Sequence, residues 1–226
     1  MDWTALFLSL QLAVATLLVL IPLALFAARR LAYSRFRGKA VVEALLAVPL
    51  VLPPTVIGYY LLVGFGSQSL LGRWMMEATG QQLVFHFSGL LLASFIVNIP
   101  FAVQPMQRAF EAIPQDIRDS AACCGMSYWR TLWQVELPLA WPGMVTAMVL
   151  SFAHTLGEFG VVLMVGGSLP GETKTIAISI YDRVQALDFT AAGQMSLVLL
   201  VFSVTVLALG NALSRRVGRR HGLPEL

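Results

Sequence analysis

The sequence predicts an all-α membrane protein with five transmembrane helices, on the strength of three observations. Apolar residues make up 58% of the 226 residues and charged residues only 12%, whereas a soluble domain carries roughly a quarter charged residues. A helix needs about 20 mostly apolar residues to cross the hydrocarbon core. Five stretches are long enough: 5–28, 41–65, 88–107, 139–165 and 190–213. The third observation is that the basic residues between these stretches are unevenly distributed. We treat residues 1–226 as one transmembrane domain.

Lys and Arg lie mostly on one side of the predicted membrane. Twelve of the 15 fall in alternate connections, at 29–39, 108–130 and 215–220. The other three are Arg73, Lys174 and Arg183. Because cytoplasmic connections are enriched in Lys and Arg, we expect the N-terminus outside and the C-terminus in the cytoplasm.

The first predicted span is apolar up to Arg29, and the second, 41–65, contains three prolines, Pro49, Pro53 and Pro54. Proline inside a helix removes a hydrogen bond and frees a carbonyl group that neighbours or water must satisfy. We therefore expect a kink in the second span. The kink either faces a transport pathway or serves packing alone, and the sequence leaves both interpretations open.

The two predicted external connections are not simple loops. Residues 66–87 include Trp74, which suits a short helix at the level of the lipid headgroups. Residues 166–171 form a Gly-rich and Pro-containing turn. The following stretch, 173–186, is too short and too polar to span, so we expect a re-entrant or interfacial helix there.

Polar residues inside the third and fourth spans are candidates for a functional role. Asn98 either joins helices by hydrogen bonds or lines a pore. Glu158 is an acid within a span, which by default indicates a functional site. His154 lies one turn earlier and can bond Glu158 across a shared helix face. The pair either holds the fourth span in shape or acts as a gate.

One side of the fourth span carries small and weakly polar residues, as a pathway that releases its substrate requires. They are Ser151, Thr155, Gly157 and Gly160. The candidate pathway or gate residues are therefore Pro53, Pro54, Asn98, Ser151, His154, Gly157, Glu158 and Gly160. Cys123 and Cys124 are adjacent, and no Cys or His cluster has metal-ligand spacing, so neither a disulfide nor a metal site is expected.

The cytoplasmic connection 110–138 keeps an apolar rhythm despite its charges. Apolar or weakly polar residues recur every three or four positions, at Ile117, Ala121, Cys124, Tyr128, Leu132 and Val135. This spacing predicts one or two short amphipathic helices, with a break at Gly125. The rhythm alone fits equally well a helix that lies on the lipid surface.

The same connection resembles the cytoplasmic signature of binding-protein-dependent ABC importer permeases. That signature reads Glu-Ala-Ala, three residues, Gly, nine residues, Ile, any residue, Leu-Pro. Here Asp119, Ser120 and Val135 replace Glu, the first Ala and Ile, and both long gaps agree. The matching positions are Asp119, Ser120, Ala121, Gly125, Val135, Leu137 and Pro138.

The resemblance implies a type I importer permease fold in which this segment is a coupling helix that docks on an ATPase subunit. It also implies a homodimer in the bacterial inner membrane, two cytoplasmic ABC ATPase subunits that bind the ATP, and a periplasmic oxyanion-binding protein. No cofactor is expected in this chain and no nucleic acid partner.

Three further stretches, 49–59, 156–160 and 170–175, are similar to the molybdate and sulfate permease group. That group transports tetrahedral oxyanions, and the short chain favours molybdate. Tungstate, or sulfate and thiosulfate, are the alternatives that this resemblance leaves open.

Two other classes of function fit the sequence less well. A self-sufficient secondary transporter would need two symmetric halves or a midplane ion site, and neither is visible. An intramembrane enzyme built on His154 and Glu158 would lack a nucleophile and a second acidic or metal ligand. The closest match to a nucleotide-binding loop has Glu172 and Thr173 where Lys and Ser or Thr are required. We therefore expect no enzymatic activity in this chain.

Overall fold

The structure, a computed structural model, describes the backbone of residues 1–220 and the side chains of residues 1–210 and 212. The predicted basic cluster 215–220 and the C-terminus lie outside the described side chains. In the described part, all regular secondary structure is helical: α1 Trp3–Tyr33, α2 Lys39–Val51, α3 Pro54–Phe65, α4 Leu70–Thr79, α5 Phe87–Glu111, α6 Gln115–Cys123, α7 Tyr128–Thr131, a π-helical turn Leu132–Glu136, α8 Leu137–Gly157, α9 Gly160–Gly166, α10 Ile176–Gln185 and α11 Phe189–Arg220.

The predicted all-α membrane fold is confirmed. Four helical segments are long and apolar enough to cross a membrane: α1, α5, the continuous helix Tyr128–Gly157 and the segment Phe189–Gly210 of α11. A fifth span is present if α2 and α3, which are bent by 108°, count as one. The helix of the fourth span begins at Tyr128, so the end of the predicted coupling connection is already helical.

Helix α5 lies at the centre of the bundle, packed against α1 and α8. The largest buried cluster joins the C-terminal halves of α1 and α5 to the π-helical turn and α8, and includes Leu20, Met106, Phe110 and Leu132. Helix α11 packs on α8, and α3 packs on α9. Burial of these apolar side chains fixes the positions of the shorter helices that carry the candidate sites.

The sharp bend in the second span follows from its prolines. Leu52 precedes Pro53, and the residue before a proline is disfavoured in the α conformation. Leu52 accordingly has an extended backbone, with φ −76° and ψ 141°, and α2 ends before it. Pro54 then starts α3 at the first helical position, where the missing N–H costs nothing.

The bent pair α2 and α3 runs from one end of the bundle to the other. At the start of α2, Lys39 Nζ lies 3.3 Å from Glu111 Oε1 at the C-terminal end of α5. At the end of α3, Phe65 packs in the cluster that includes Leu83 and Val84, just before α5 begins. The pair therefore has the reach of a spanning segment.

Both connections predicted to be external contain the short helices that the sequence predicts. Helix α4 carries an exposed Trp74. Helix α10 is attached to the start of α1, because the backbone N–H of Ile176 donates to Ser9 Oγ at 2.8 Å. Ser179 Oγ also donates to Asp2 Oδ2 at 2.8 Å, which fixes α10 against the N-terminal end of α1.

Asp2 precedes α1 and caps it, since Ala5 N–H donates to its carboxylate at 3.0 Å. Burial raises the pKa of Asp2, but the hydrogen bonds from Ala5 and Ser179 and the charges of Lys174 and Arg183 outweigh it and hold the pKa below its usual value. Asp2 is therefore ionised at neutral pH, in the form that best accepts both hydrogen bonds.

Candidate functional site

The fourth span is interrupted at Glu158, where the sequence predicts one continuous stretch, 139–165. Helix α8 ends at Gly157, Glu158 has an extended backbone with ψ 124°, and α9 begins at Gly160. The carboxylate of Glu158 accepts a hydrogen bond from Val161 N–H at 2.9 Å. Glu158 therefore caps α9 by satisfying one of the N–H groups that a helix start leaves free.

His154 lies against the capping carboxylate, as the sequence predicts. Its Nε2 is 3.6 Å from Glu158 Oε2, a distance too long for a good hydrogen bond. The imidazole ring stacks on Phe101 of α5, with ring centroids 4.2 Å apart. His154 thus links the break in the fourth span to α5.

The breaks in the second and fourth spans meet each other. A Cβ atom on Gly160, at the start of α9, would lie 2.8 Å from Pro54 Cβ at the start of α3. Real Cβ atoms do not approach so closely, so glycine is required for this contact. The structure therefore brings four of the predicted pathway or gate residues to one place: Pro53, Pro54, Glu158 and Gly160. Gly157 borders this place and is exposed, with open space around its Cα.

Asn98 and Ser151 lie elsewhere, between α5 and α8. Asn98 is fully buried, and its Nδ2 donates to Thr155 Oγ1 at 3.0 Å and to Ser94 O at 2.7 Å. Ser151 is also fully buried. Asn98 therefore joins α5 to α8 by a hydrogen bond.

The first half of the coupling signature forms α6. Asp119 and Ser120 are exposed, and Ala121 is the buried residue of this helix. Gly125 follows with φ +69°, a left-handed conformation that favours glycine. The predicted break at Gly125 is confirmed, and the chain turns there into α7.

The second half of the signature lies in the helix that enters the membrane. Val135 belongs to the π-helical turn, and Leu137 and Pro138 begin α8. Leu137 is buried in the main core cluster. Four exposed side chains of the whole connection 110–138 are large and apolar, namely Ile117, Tyr128, Trp129 and Trp133.

The structure also reveals a charged cluster that the sequence did not identify. Glu136, the variable position of the signature, is completely buried. Its Oε2 accepts from Arg29 Nε at 2.5 Å and its Oε1 from Arg29 Nη2 at 3.0 Å. Arg118 Nε of α6 lies 3.5 Å from Oε1. The sequence hint of a buried acid was Glu136 between the apolar residues Val135 and Leu137. In a charged connection, the same pattern is equally typical of an exposed acid.

Two aromatic rings complete this cluster of Arg29, Arg118 and Glu136. The guanidinium of Arg118 lies 3.4 Å from the centroid of the Tyr33 ring, and that of Arg29 lies 4.1 Å from the centroid of Tyr128. Such cation–π contacts compensate for the one positive charge that a single carboxylate leaves unpaired.

Comparisons with known proteins agree with these features. The family described as binding-protein-dependent transport system inner membrane component matches residues 20–220. The molybdenum transport system permease protein ModB of Azotobacter vinelandii is 43% identical over 206 residues, which are 91% of each chain. The protein of the same name from Haemophilus influenzae is 36% identical over 98% of this chain and 97% of its own.

A solved structure shares the fold. It is a bacterial ABC transporter involved in the import of the acidic polysaccharide alginate. Its chain superposes with a TM-score of 0.76 at 16% identity, over 94% of this chain and 78% of that one.

Proposed function

This chain belongs to the family of binding-protein-dependent transport system inner membrane components, and from that premise we propose that it is the permease subunit of an ATP-driven importer of molybdate. The observation that carries the substrate is the 43% identity, over 91% of both chains, to a molybdenum transport permease. The spans and the turn of the coupling segment fit the same function. The protein is a multi-pass inner membrane component, and in our proposal the membrane is the bacterial inner membrane.

The working unit in our proposal is a homodimer. Five spanning segments are too few to enclose an aqueous route, and identical membrane subunits usually pair around a symmetry axis. Helix α2 has no buried residue and α11 exposes most of its apolar side chains. These two helices supply surface for a second copy as well as for lipid.

The partner that supplies energy is a cytoplasmic ATPase subunit, one for each copy. The chain itself carries no nucleotide-binding loop. The exposed apolar side chains Ile117, Tyr128 and Trp133 give α6, α7 and the π-helical turn a surface on which such a subunit can dock. A helix laid in an apolar groove is a common mode of docking.

The proposed pathway passes the meeting point of the two broken helices. Discontinuous helices commonly form transport sites, because irregular backbone inside a membrane is stable only against protein or water. The capping hydrogen bond from Val161 N–H to Glu158 holds the start of α9 in place. In our proposal, a small movement of α3 against α9 opens or closes the pathway at the contact between Pro54 and Gly160. Tight selection of the oxyanion is assigned to the separate periplasmic binding protein.

The test is uptake of radioactive molybdate by cells that lack their own molybdate transporter. We expect uptake only when this chain is expressed with an ATPase subunit and a periplasmic oxyanion-binding protein, and we expect the ATPase to copurify with it. Excess tungstate should compete and excess sulfate should not.

Two outcomes would contradict the proposal. Uptake that persists without the ATPase would indicate a self-sufficient secondary transporter. Uptake of sulfate or thiosulfate with a sulfate-binding protein, together with no uptake of molybdate with a molybdate-binding protein, would assign the chain to sulfate import.

A further inference from the structure

We propose that Arg118, Glu136 and Arg29 form the link that transmits movement of the coupling helix α6 into the membrane helices α1 and α8. Here Arg118 and Glu136 are positioning residues. The inference rests on the proposed function in one respect, since it assumes an ATPase subunit that moves α6. It adds the specific contact through which that movement reaches the transmembrane part of the chain.

The first observation is how weakly α6 is otherwise attached. Ala121 is its one buried residue, and Asp119, Ser120, Ala122 and Cys123 are exposed. A helix with so little buried apolar surface is not held by packing. Its charged contact, from Arg118 to the buried carboxylate of Glu136, therefore matters more for its position than packing does.

The second observation is where Glu136 lies. It ends the π-helical turn Leu132–Glu136, in which Leu137 N–H bonds Leu132 O five residues earlier. π-Helical turns inside α-helices often occur at functional sites. Because this turn runs without interruption into α8, a displacement of the Glu136 carboxylate is a displacement of the start of a spanning helix.

The third observation is the asymmetry of the two arginines. Arg29 holds Glu136 with two hydrogen bonds, at 2.5 and 3.0 Å, and its side chain is 11% exposed. Arg118 is 32% exposed, and its buried Nε has no hydrogen-bond partner among the described residues. Arg29 and Glu136 thus form a fixed pair, whereas Arg118 is positioned to tighten or release its contact.

The aromatic ring of Tyr33 provides a surface along which the Arg118 guanidinium can shift. The guanidinium group lies 3.4 Å from the centroid of this ring, and Tyr33 is the last residue of α1. An aromatic face attracts a cation anywhere within about 6 Å of the ring centroid, so this contact tolerates displacement better than a hydrogen bond does. The geometry therefore lets α6 shift while it stays coupled to α1.

The test uses the complete transporter, purified in lipid nanodiscs with its ATPase and binding protein. Hydrogen–deuterium exchange is measured with and without ATP, in α6 and separately in residues 132–140. In the wild type we expect ATP to change exchange in both segments. In Arg118→Ala we expect the change in residues 132–140 to fall at least fivefold, while ATPase copurification and the change in α6 persist.

Three matched variants separate a link from a general structural role. Arg118→Lys keeps the charge and should restore part of the response. Tyr33→Leu removes the ring without altering any charge or hydrogen bond, since the Tyr33 hydroxyl has no partner among the described residues, and it should lower the response. Arg130→Ala should behave like the wild type, because Arg130 is an exposed residue of the same segment and its side chain bonds only Gln134 in the described structure.

A full response in Arg118→Ala would overturn the proposed link. Loss of ATPase copurification in that variant would also overturn it, because Arg118 would then be a docking residue. Molybdate uptake by the wild type is measured in parallel. If ATP changes exchange in both segments of the wild type but no oxyanion is transported, the proposed substrate is overturned and the proposed link stands. If ATP does not change exchange in α6 of the wild type, both proposals are overturned.

Discussion

Two acidic residues, Glu136 and Glu158, show how a single side chain can be essential to a helix junction in a membrane protein. Both are buried, and each is held by hydrogen bonds where one helical segment passes into another. A buried carboxylate is stable only when its charge and its oxygen atoms are satisfied. Glu158 meets this requirement at the start of α9, where free N–H groups are available.

The first prediction at this scale concerns the capping role of Glu158. In Glu158→Ala, Val161 N–H loses its partner, and an unmade hydrogen bond at a buried group costs about 1–3 kcal/mol. We expect a clear drop in the thermal unfolding temperature of the purified protein. Glu158→Gln should lose less, because the amide oxygen can still accept from Val161 N–H.

Ser151→Ala is the matched control for this prediction. Ser151 is also buried, in α8, but its hydroxyl has no partner among the described residues. We expect its removal to leave stability nearly unchanged. If Glu158→Gln folds like the wild type but abolishes uptake, Glu158 serves as a gate and its main role is not capping.

At the scale of the helices, the interruptions matter as much as the helices themselves. The bend after α2 arises from Pro53 and Pro54, and the turn after α6 from Gly125. Proline restricts the backbone and glycine frees it, and both effects are local, so the sequence predicts where these breaks occur. The break at Glu158, between Gly157 and Gly160, was not predicted.

The turn at Gly125 gives the second prediction. A Cβ atom at this position would contact nothing within 4 Å, so a substitution strains only the backbone at φ +69°. A β-branched residue in this conformation costs about 1 kcal/mol or more. We expect Gly125→Val to insert normally, and to lower both ATPase copurification and molybdate uptake about fivefold, as that energy implies.

The structure offers a closely matched control for Gly125→Val. Gly80 has φ +72° and equally open surroundings, but it lies after α4 on the other side of the predicted membrane. Gly80→Val introduces the same strain and should leave ATPase copurification unchanged. Gly125→Asn should restore coupling in part, since Asn tolerates positive φ. Normal copurification and uptake in Gly125→Val would mean that this segment is only an interfacial helix.

For the whole molecule, the number of spans decides the orientation of the termini. The described structure contains four unbroken candidates and one pair bent by 108°. Four spans would place both termini on one side, and five would place them on opposite sides. The contacts of Lys39 and Phe65 at opposite ends of the bundle favour five.

The third prediction is therefore a test of this topology. A reporter fused before Met1 should be external and one fused after Leu226 cytoplasmic, because twelve basic residues lie in connections on one side and three on the other. A third reporter, fused after Gly125, should be cytoplasmic and serves as the reference for the two terminal fusions. Finding both termini on the same side would show that a span has been miscounted, either at 173–186 or at the bent pair α2 and α3.

The amino-acid sequence by itself determined the fold class, the approximate spans, the short external helices and the turn at Gly125. Each of these depends on local properties: the length of an apolar run, the φ preference of Gly or Pro, or the spacing of a short pattern. The sequence also predicted the neighbours His154 and Glu158, since residues four apart on a helix lie on one face.

Only the tertiary structure decided which polar residues meet. Arg29 and Glu136 are 107 positions apart, and Asn98 and Thr155 are 57 apart. No local pattern encodes such contacts, because they depend on how α1, α5 and α8 pack together. That packing encloses Glu136 in a charged cluster, buries Asn98 between helices and brings Gly160 onto Pro54. Burial and close approach are properties of the assembled bundle, which no single helix possesses before the others have packed around it.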